Sequence, residues 1–129
     1  MKYGYTIVYV PDVVASLAFF EQAFGFARRF LTPEEDYGEL DSGATTIAFA
    51  THALAESNSS SGFVYGSQTD KPLGVELALV TDDVGTAHAA AIAAGAVELS
   101  APKKKPWGQV VSYVRCPDGT LVELCTPVG

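Results

Sequence analysis

Two glutamates stand in runs that otherwise read as apolar strands. In Tyr113 to Thr126 (YVRCPDGTLVELCT) a β-branched and aromatic run meets Pro117-Asp118-Gly119 and resumes as Leu121-Val122-Glu123-Leu124-Cys125. That is strand, tight turn, strand, with Pro presetting one turn angle and Gly supplying a positive φ. Alternation along the second arm puts Leu121, Glu123 and Cys125 on one face and Val122 and Leu124 on the other. A carboxylate in the middle of such a face must be paired, protonated, bound to a cation or open to a wet cavity, because burying it bare is expensive. The second acid, Glu76, lies in the run VELALV. If repulsion pushes their pKa values apart, the pair can act as general acid and base. Rings and one aliphatic side chain accompany them: Tyr5, Ile7 and Tyr9 share one face of the first strand, Tyr113 stands on the strand before the hairpin turn, and Trp107 sits in a Pro-Trp-Gly turn. Flat rings suit a planar or cationic guest, by stacking or by cation-π attraction of about 0.5–2 kcal/mol per contact.

Other chemistries find less support. Cys116 and Cys125 have no His or basic residue close in sequence, so a thiolate nucleophile is unsupported and free thiols are expected. His52 and His88 fall outside the strand positions and read as surface or half-buried residues. Asp12, Asp82 and Asp83 read as helix caps. No phosphate-binding glycine loop or dinucleotide fingerprint occurs. The net charge is −7, and the only cationic cluster is Lys103-Lys104-Lys105, which argues against nucleic-acid binding. No run approaches the roughly 18 apolar residues that span a bilayer, and the first residues lack the anatomy of a signal peptide, so a cytoplasmic protein is predicted.

The elements that must position these groups repeat. Residues 3–10 alternate as a strand, Pro11-Asp12 ends it, and Val13, Leu17, Phe20 and Phe24 mark a helix closed by Gly25. Strand pieces follow over 26–31, 37–40 and 45–51, separated by acidic and small-residue turns. Residues 53–62, with their serine run, read as a polar loop. From Gly74 the motif restarts: the strand 75–80, a Thr-Asp-Asp cap, an alanine-rich helix over 84–94 and Gly95. Short strand pieces at 97–99 and 109–115 and the closing hairpin complete it, with a Pro-Lys loop between the first two. The two glycines lie 70 residues apart, so the chain is a β-α-β-β-β unit written twice. The reading is one α+β domain over 1–129, with module one over about 1–62 and module two over about 73–129.

V-x-D followed by an amphipathic helix and Gly, repeated and closed by C-P-D-G-x-x-V-E-L, resembles the glyoxalase, bleomycin-resistance and extradiol-dioxygenase superfamily, the vicinal oxygen chelate fold. The resemblance implies tandem modules forming a cupped mixed sheet around a ligand cavity, with helices on the outer face. It also implies a homodimer, often with each cavity built from the first module of one chain and the second of the other. Metal-dependent members place ligands, typically two His and two Glu, on the first and last strand of each module; Tyr5, Ala48, Glu76 and Glu123 occupy those places here. Strand motifs pair Tyr5 with Glu76 at an offset of 71, whereas the glycines give 70 and would pair Thr6 with Glu76. The first register turns Glu76, Ala78 and Val80 to the cavity and is preferred, because the second aims a carboxylate into the core.

Two carboxylates fall short of the three protein ligands that catalytic divalent sites generally need, although they can hold Mg²⁺ or Ca²⁺ weakly. No cofactor is therefore expected. The resulting expectation is a small-molecule-binding dimer resembling the bleomycin-resistance branch. It sequesters an aromatic or cationic compound among Tyr5, Ile7, Tyr9, Glu76, Trp107, Tyr113 and Glu123. The alternative is a glyoxalase- or lyase-type enzyme that uses Glu76 and Glu123 with a divalent ion or as acid and base, and a scaffold with a vestigial cavity is a third.

Overall fold

A computed structural model describes residues 1–128. The first strand, β1 (Tyr5–Val10), ends at Pro11. Asp12 then accepts the Ala15 N–H at 3.0 Å, capping α1 (Val13–Phe24), a contact worth about 1 kcal/mol. Val13, Leu17, Phe20 and Ala23 recur on one side of this helix and are buried, the spacing of a core-facing stripe. Gly25 closes it in the left-handed region, its N–H donating to the Glu21 carbonyl. Strands β2 (Ala27–Leu31), β3 (Tyr37–Asp41) and β4 (Thr46–Thr51) run antiparallel in turn, and β4 returns to pair parallel with β1, giving the order β1-β4-β3-β2.

After the short helix α2 (His52–Asn58) and an irregular linker, the arrangement recurs. It comprises β5 (Glu76–Val80), α3 (Val84–Ala94) capped by Asp83, β6 (Val97–Lys104), β7 (Val110–Arg115) and β8 (Leu121–Cys125), in the order β5-β8-β7-β6. The fold is thus α+β, two four-stranded mixed sheets from tandem β-α-β-β-β modules. No helix among the described residues is long and apolar enough to cross a membrane.

Two stretches differ from the sequence reading. Where a polar loop was expected, His52–Asn58 is helical, because the Thr51 hydroxyl accepts the Leu54 N–H and Ala53-Leu54-Ala55-Glu56 are good helix formers. Strand β6 continues through the expected Pro-Lys loop to Lys104, with two register irregularities. It is an edge strand, where a proline removes no ladder bond that the sheet needs.

Helices α1 and α3 pack against each other. The helix-facing sides of both sheets merge with them into one core that includes Leu17, Phe20, Phe49, Val84, Ala91, Val114, Val122 and Leu124. Gly38 permits this on β3: a Cβ there would lie 2.6 Å from Leu17 Cδ1. The linker is bound to module two by Arg115. Its guanidinium donates to the carbonyls of Gly66, Thr69 and Asp70 at 3.0 Å and to Gly119 at 3.2 Å. Gly119 itself, at φ +94°, approaches so closely that a Cβ would lie 2.3 Å from the Gly66 carbonyl oxygen. The open face of each sheet, away from the helices, is left to carry the chemistry.

Candidate functional site

On β5, Glu76, Ala78 and Val80 are exposed while Leu77 and Leu79 turn half-buried toward the helix side. The 71-residue register therefore describes the fold, and Glu76 stands on the open face. Parallel pairing sets Glu76 opposite Leu121 and Ala78 opposite Glu123, so the two acids are diagonal neighbours, within reach of long side chains. Their carboxyls meet. Partial burial, the hydrogen bond to Glu123 and the Glu123 charge together hold Glu76 above the usual carboxylate range. One proton shared by two carboxyls satisfies both, because like charges at contact cannot both ionise freely.

Tyr113 stands directly across from Glu123 on β7 and donates its phenol to Glu123 Oε1 at 2.8 Å. That bond and the acidic surroundings push the phenol up to about 12. Cys125, two residues along β8 from Glu123, is buried, and its thiol is raised by burial and by Glu123. It remains a thiol, and so does buried Cys116, raised by burial first and Asp118 second. Neither is an activated nucleophile.

The first-strand residues stand on module one's open face, with Tyr5 56 %, Ile7 46 % and Tyr9 39 % exposed. Tyr9 packs on Phe63 from the linker, ring centroids 4.7 Å apart, and Ile7 and Tyr9 border a crevice of about 340 Å³ with Leu73, Leu77 and Leu121. Glu76, Tyr113 and Glu123 are not among its walls. Trp107 occupies the β6–β7 turn, exposed, its indole N–H donating to Gln109 Oε1. Within one chain, then, Glu76, Tyr113 and Glu123 form one cluster, and Tyr5, Ile7, Tyr9 and Trp107 stand apart from it.

The histidines are more deeply built in than the sequence suggests. His52 is half-buried at the start of α2, stacked on Tyr65 with centroids 4.0 Å apart. His88 is buried; its Nδ1 meets Ser112 Oγ at 2.9 Å and its Nε2 meets Glu98 Oε2 at 2.8 Å. The Ser-His-Glu order suggests a nucleophile, but Ser112 is fully buried. The chain of bonds ties α3 to β6 and β7 and presents no group to a substrate.

A second polar cluster escaped the sequence reading. On module one's open face Tyr37 donates to Glu39 Oε2 at 2.7 Å, and Arg29 bonds Glu39 Oε1 through both Nε and Nη2 at 3.2 Å. Arg29 Nη2 also donates to Thr46 Oγ1. Burial, the Glu39 bond and the Glu39 charge raise the Tyr37 phenol far above its ordinary value. The alternation Tyr37, Gly38, Glu39, Leu40 was a legible signal for the acid's direction; nothing in the sequence announces the meeting with Arg29.

The residues at the family's four ligand places do not fit a resident divalent ion. Ala48 carries no donor and is fully buried, Glu76 and Glu123 engage each other, and no group of three or more His, Cys, Asp or Glu gathers among the described residues.

Fold and sequence together define the class: the chain belongs to the Glyoxalase/Bleomycin resistance protein/Dioxygenase superfamily, which it matches over residues 2–124. Among solved structures it is similar to a glyoxalase/bleomycin resistance protein/dioxygenase family enzyme from Burkholderia phytofirmans PsJN, with a TM-score of 0.81, 23 % identity, and 95 % of this chain and 96 % of that one covered. A glyoxalase-related enzyme from Fulvimarina pelagi gives 0.82 at 21 % identity, covering 98 % and 88 %. TioX from Micromonospora sp. ML1 gives 0.71 at 20 % identity, covering 98 % of both chains. These likenesses describe the fold. No curated protein matches the chain.

Proposed function

We propose that this protein binds a small cationic aromatic molecule on the open face of module two, without a catalytic metal. The observation that carries the reading is the Glu76–Glu123 carboxyl pair, braced by the Tyr113 phenol on a sheet face not covered by either helix. A cation placed against the pair displaces the shared proton and gains a charge-assisted contact of about 1.5–3 kcal/mol.

The second half of the reading is a homodimer. Strands β1 and β5 are both sheet edges, and Tyr5, Ile7, Val75 and Val80 on or beside them are exposed. Free edges with apolar side chains favour pairing with another chain. Pairing module one of one copy with module two of another would bring the rings of β1 toward the acids of β5 and β8. Light scattering on the eluting protein tests this, and a monomer at 50 μM or so would refute it.

The test of binding is calorimetric titration with benzylammonium, with benzyl alcohol as the uncharged control. Glu123→Gln keeps an acceptor for Tyr113 and should leave urea unfolding unchanged. It should weaken benzylammonium binding roughly ten- to a hundredfold, the equivalent of one charge-assisted contact. Unchanged affinity would overturn the reading. The same geometry favours one alternative, a metal-free isomerase or lyase, since one protonated and one ionised carboxyl on a single face is an acid/base pair. Turnover abolished in both Glu76→Gln and Glu123→Gln would identify it.

A further inference from the structure

The Arg29 cluster of module one is opposite in character to the acidic pair. A guanidinium has five N–H donors. Nε spends its one on Glu39, and Nη2 spends its two on Glu39 and Thr46, leaving both donors of Nη1 without a partner among the described residues. Glu39 is more nearly spent, because Oε1 accepts twice from Arg29 and Oε2 once from Tyr37, which fills three of a carboxylate's four lone-pair sites. The unspent capacity of the pair is therefore mainly donor, on Arg29 Nη1.

It is also held in place. Register slips between Arg28 and Phe30 on β2, so that Arg28 faces Leu40 and Phe30 faces Glu39. Arg29 is the extra residue of this β-bulge, a device that re-aims a side chain. Arg28 meanwhile pairs with Glu21 of α1 at 2.8 Å, on the helix side. Strand alternation sends the two successive arginines to opposite faces, the bulge sets Arg29 and Phe30 together opposite Glu39, and Arg29 is held against Glu39, whose side chain is 16 % exposed while that of Arg29 is 44 % exposed. Rings stand on the same face: Phe30, exposed, lies 6.4 Å from Tyr37 between centroids, and Tyr5 is paired across from Thr46, the hydroxyl that Arg29 bonds.

In the duplicated module the equivalent cross-strand pair is Tyr113 and Glu123; here it is Glu39 and Ala48. The carboxylate stands one strand over, where Arg29 pairs with it.

We propose that this cluster binds the carboxylate of a small aromatic acid, with Arg29 Nη1 as the donor edge and Phe30 and Tyr5 as ring contacts. The overall charge of −7 opposes an anion only at long range, since screening at 0.1–0.15 M salt acts over about 8–10 Å. At contact, the unspent donors decide.

The experiment is a benzoate titration at constant ionic strength, following the Arg29 side-chain nitrogen resonances and, in parallel, the heat. Saturable displacement of those resonances by benzoate but not by equimolar chloride is expected. Arg29→Met should weaken benzoate at least tenfold and leave benzylammonium binding as in the native protein. Arg29→Lys should recover only part, because an ammonium lacks the planar fork. No saturable change in the native protein, an equal response to chloride, or benzoate affinity indifferent to Arg29→Met would each overturn the proposal. The native-state resonances decide the matter even if a variant folds poorly. The benzylammonium arm separates this site from the acidic one: its failure would refute the reading of Glu76 and Glu123 and leave Arg29 untouched.

Discussion

Replacing Arg115 by Met tests how the linker holds to module two. The substitution keeps most of the aliphatic stem and removes donors that reach four backbone carbonyls and the Thr69 hydroxyl. A hydrogen bond to a charged group contributes about 1.5–3 kcal/mol, but the bonds share one guanidinium and the half-buried acceptors can turn to water. The net loss should be about 2–4 kcal/mol. For a chain of this size that corresponds to a fall in Tm of roughly 6–20 °C. Gly119→Ala attacks the same contact from the turn. Its Cβ would meet the Gly66 carbonyl at 2.3 Å, at a backbone φ of +94°, so strain of about 1–3 kcal/mol is added to displacement of the linker. Because both changes break one contact, the double variant should lose less than the sum, with a coupling of about 1 kcal/mol or more. Urea unfolding followed by circular dichroism reads all three variants. If Arg115→Met stays within 0.5 kcal/mol of the native protein, or the two changes add, the linker is not held as described.

The remaining predictions concern the acids. Glu76 is raised in the folded protein, so its protonated form is favoured there, and its contribution to stability grows as pH falls through its folded pKa and levels off below the unfolded value. Binding of benzylammonium expels that proton, so affinity should rise with pH across and above the ordinary carboxylate range and then level; Glu76→Gln should flatten the profile, and a native profile flat from pH 4 to 8 would contradict the shared proton. Ultraviolet titration should find Tyr113 ionising near 12 in the native protein. Glu123→Leu, which removes the acceptor that Gln would keep, should lower that value toward about 10, and an unmoved phenol would show that Glu123 is not its acceptor.

Much of this architecture was legible because the sequence states it twice. The caps at Asp12 and Asp83, the glycines at 25 and 95 and the alternation of each opening strand are local signals, set by backbone geometry within a few residues. The hairpin alternation that set Glu123 on an open face needed nothing beyond period two, and the same period, once the register was chosen, turned Glu76 outward. Side-chain direction on a strand is a local property.

What tertiary structure alone decided is which side chains meet. Arg29 reaches Glu39 because β2 and β3 pair with Arg28 opposite Leu40, which sets Arg29 beside Glu39, while a bulge brings Phe30 opposite the same residue; neither the pairing register nor the bulge leaves a mark in a pattern of residue types. Arg115 reaches carbonyls between 45 and 49 residues away, with acceptors on the backbone, where sequence identity says nothing. His88 is buried because α3 lays it on β6 and β7 between Glu98 and Ser112, partners that its own helix could not announce. Periodicity gives each residue a face; only the packing of one element on another gives it a partner, because contacts between distant segments depend on register and approach that no short window of sequence contains.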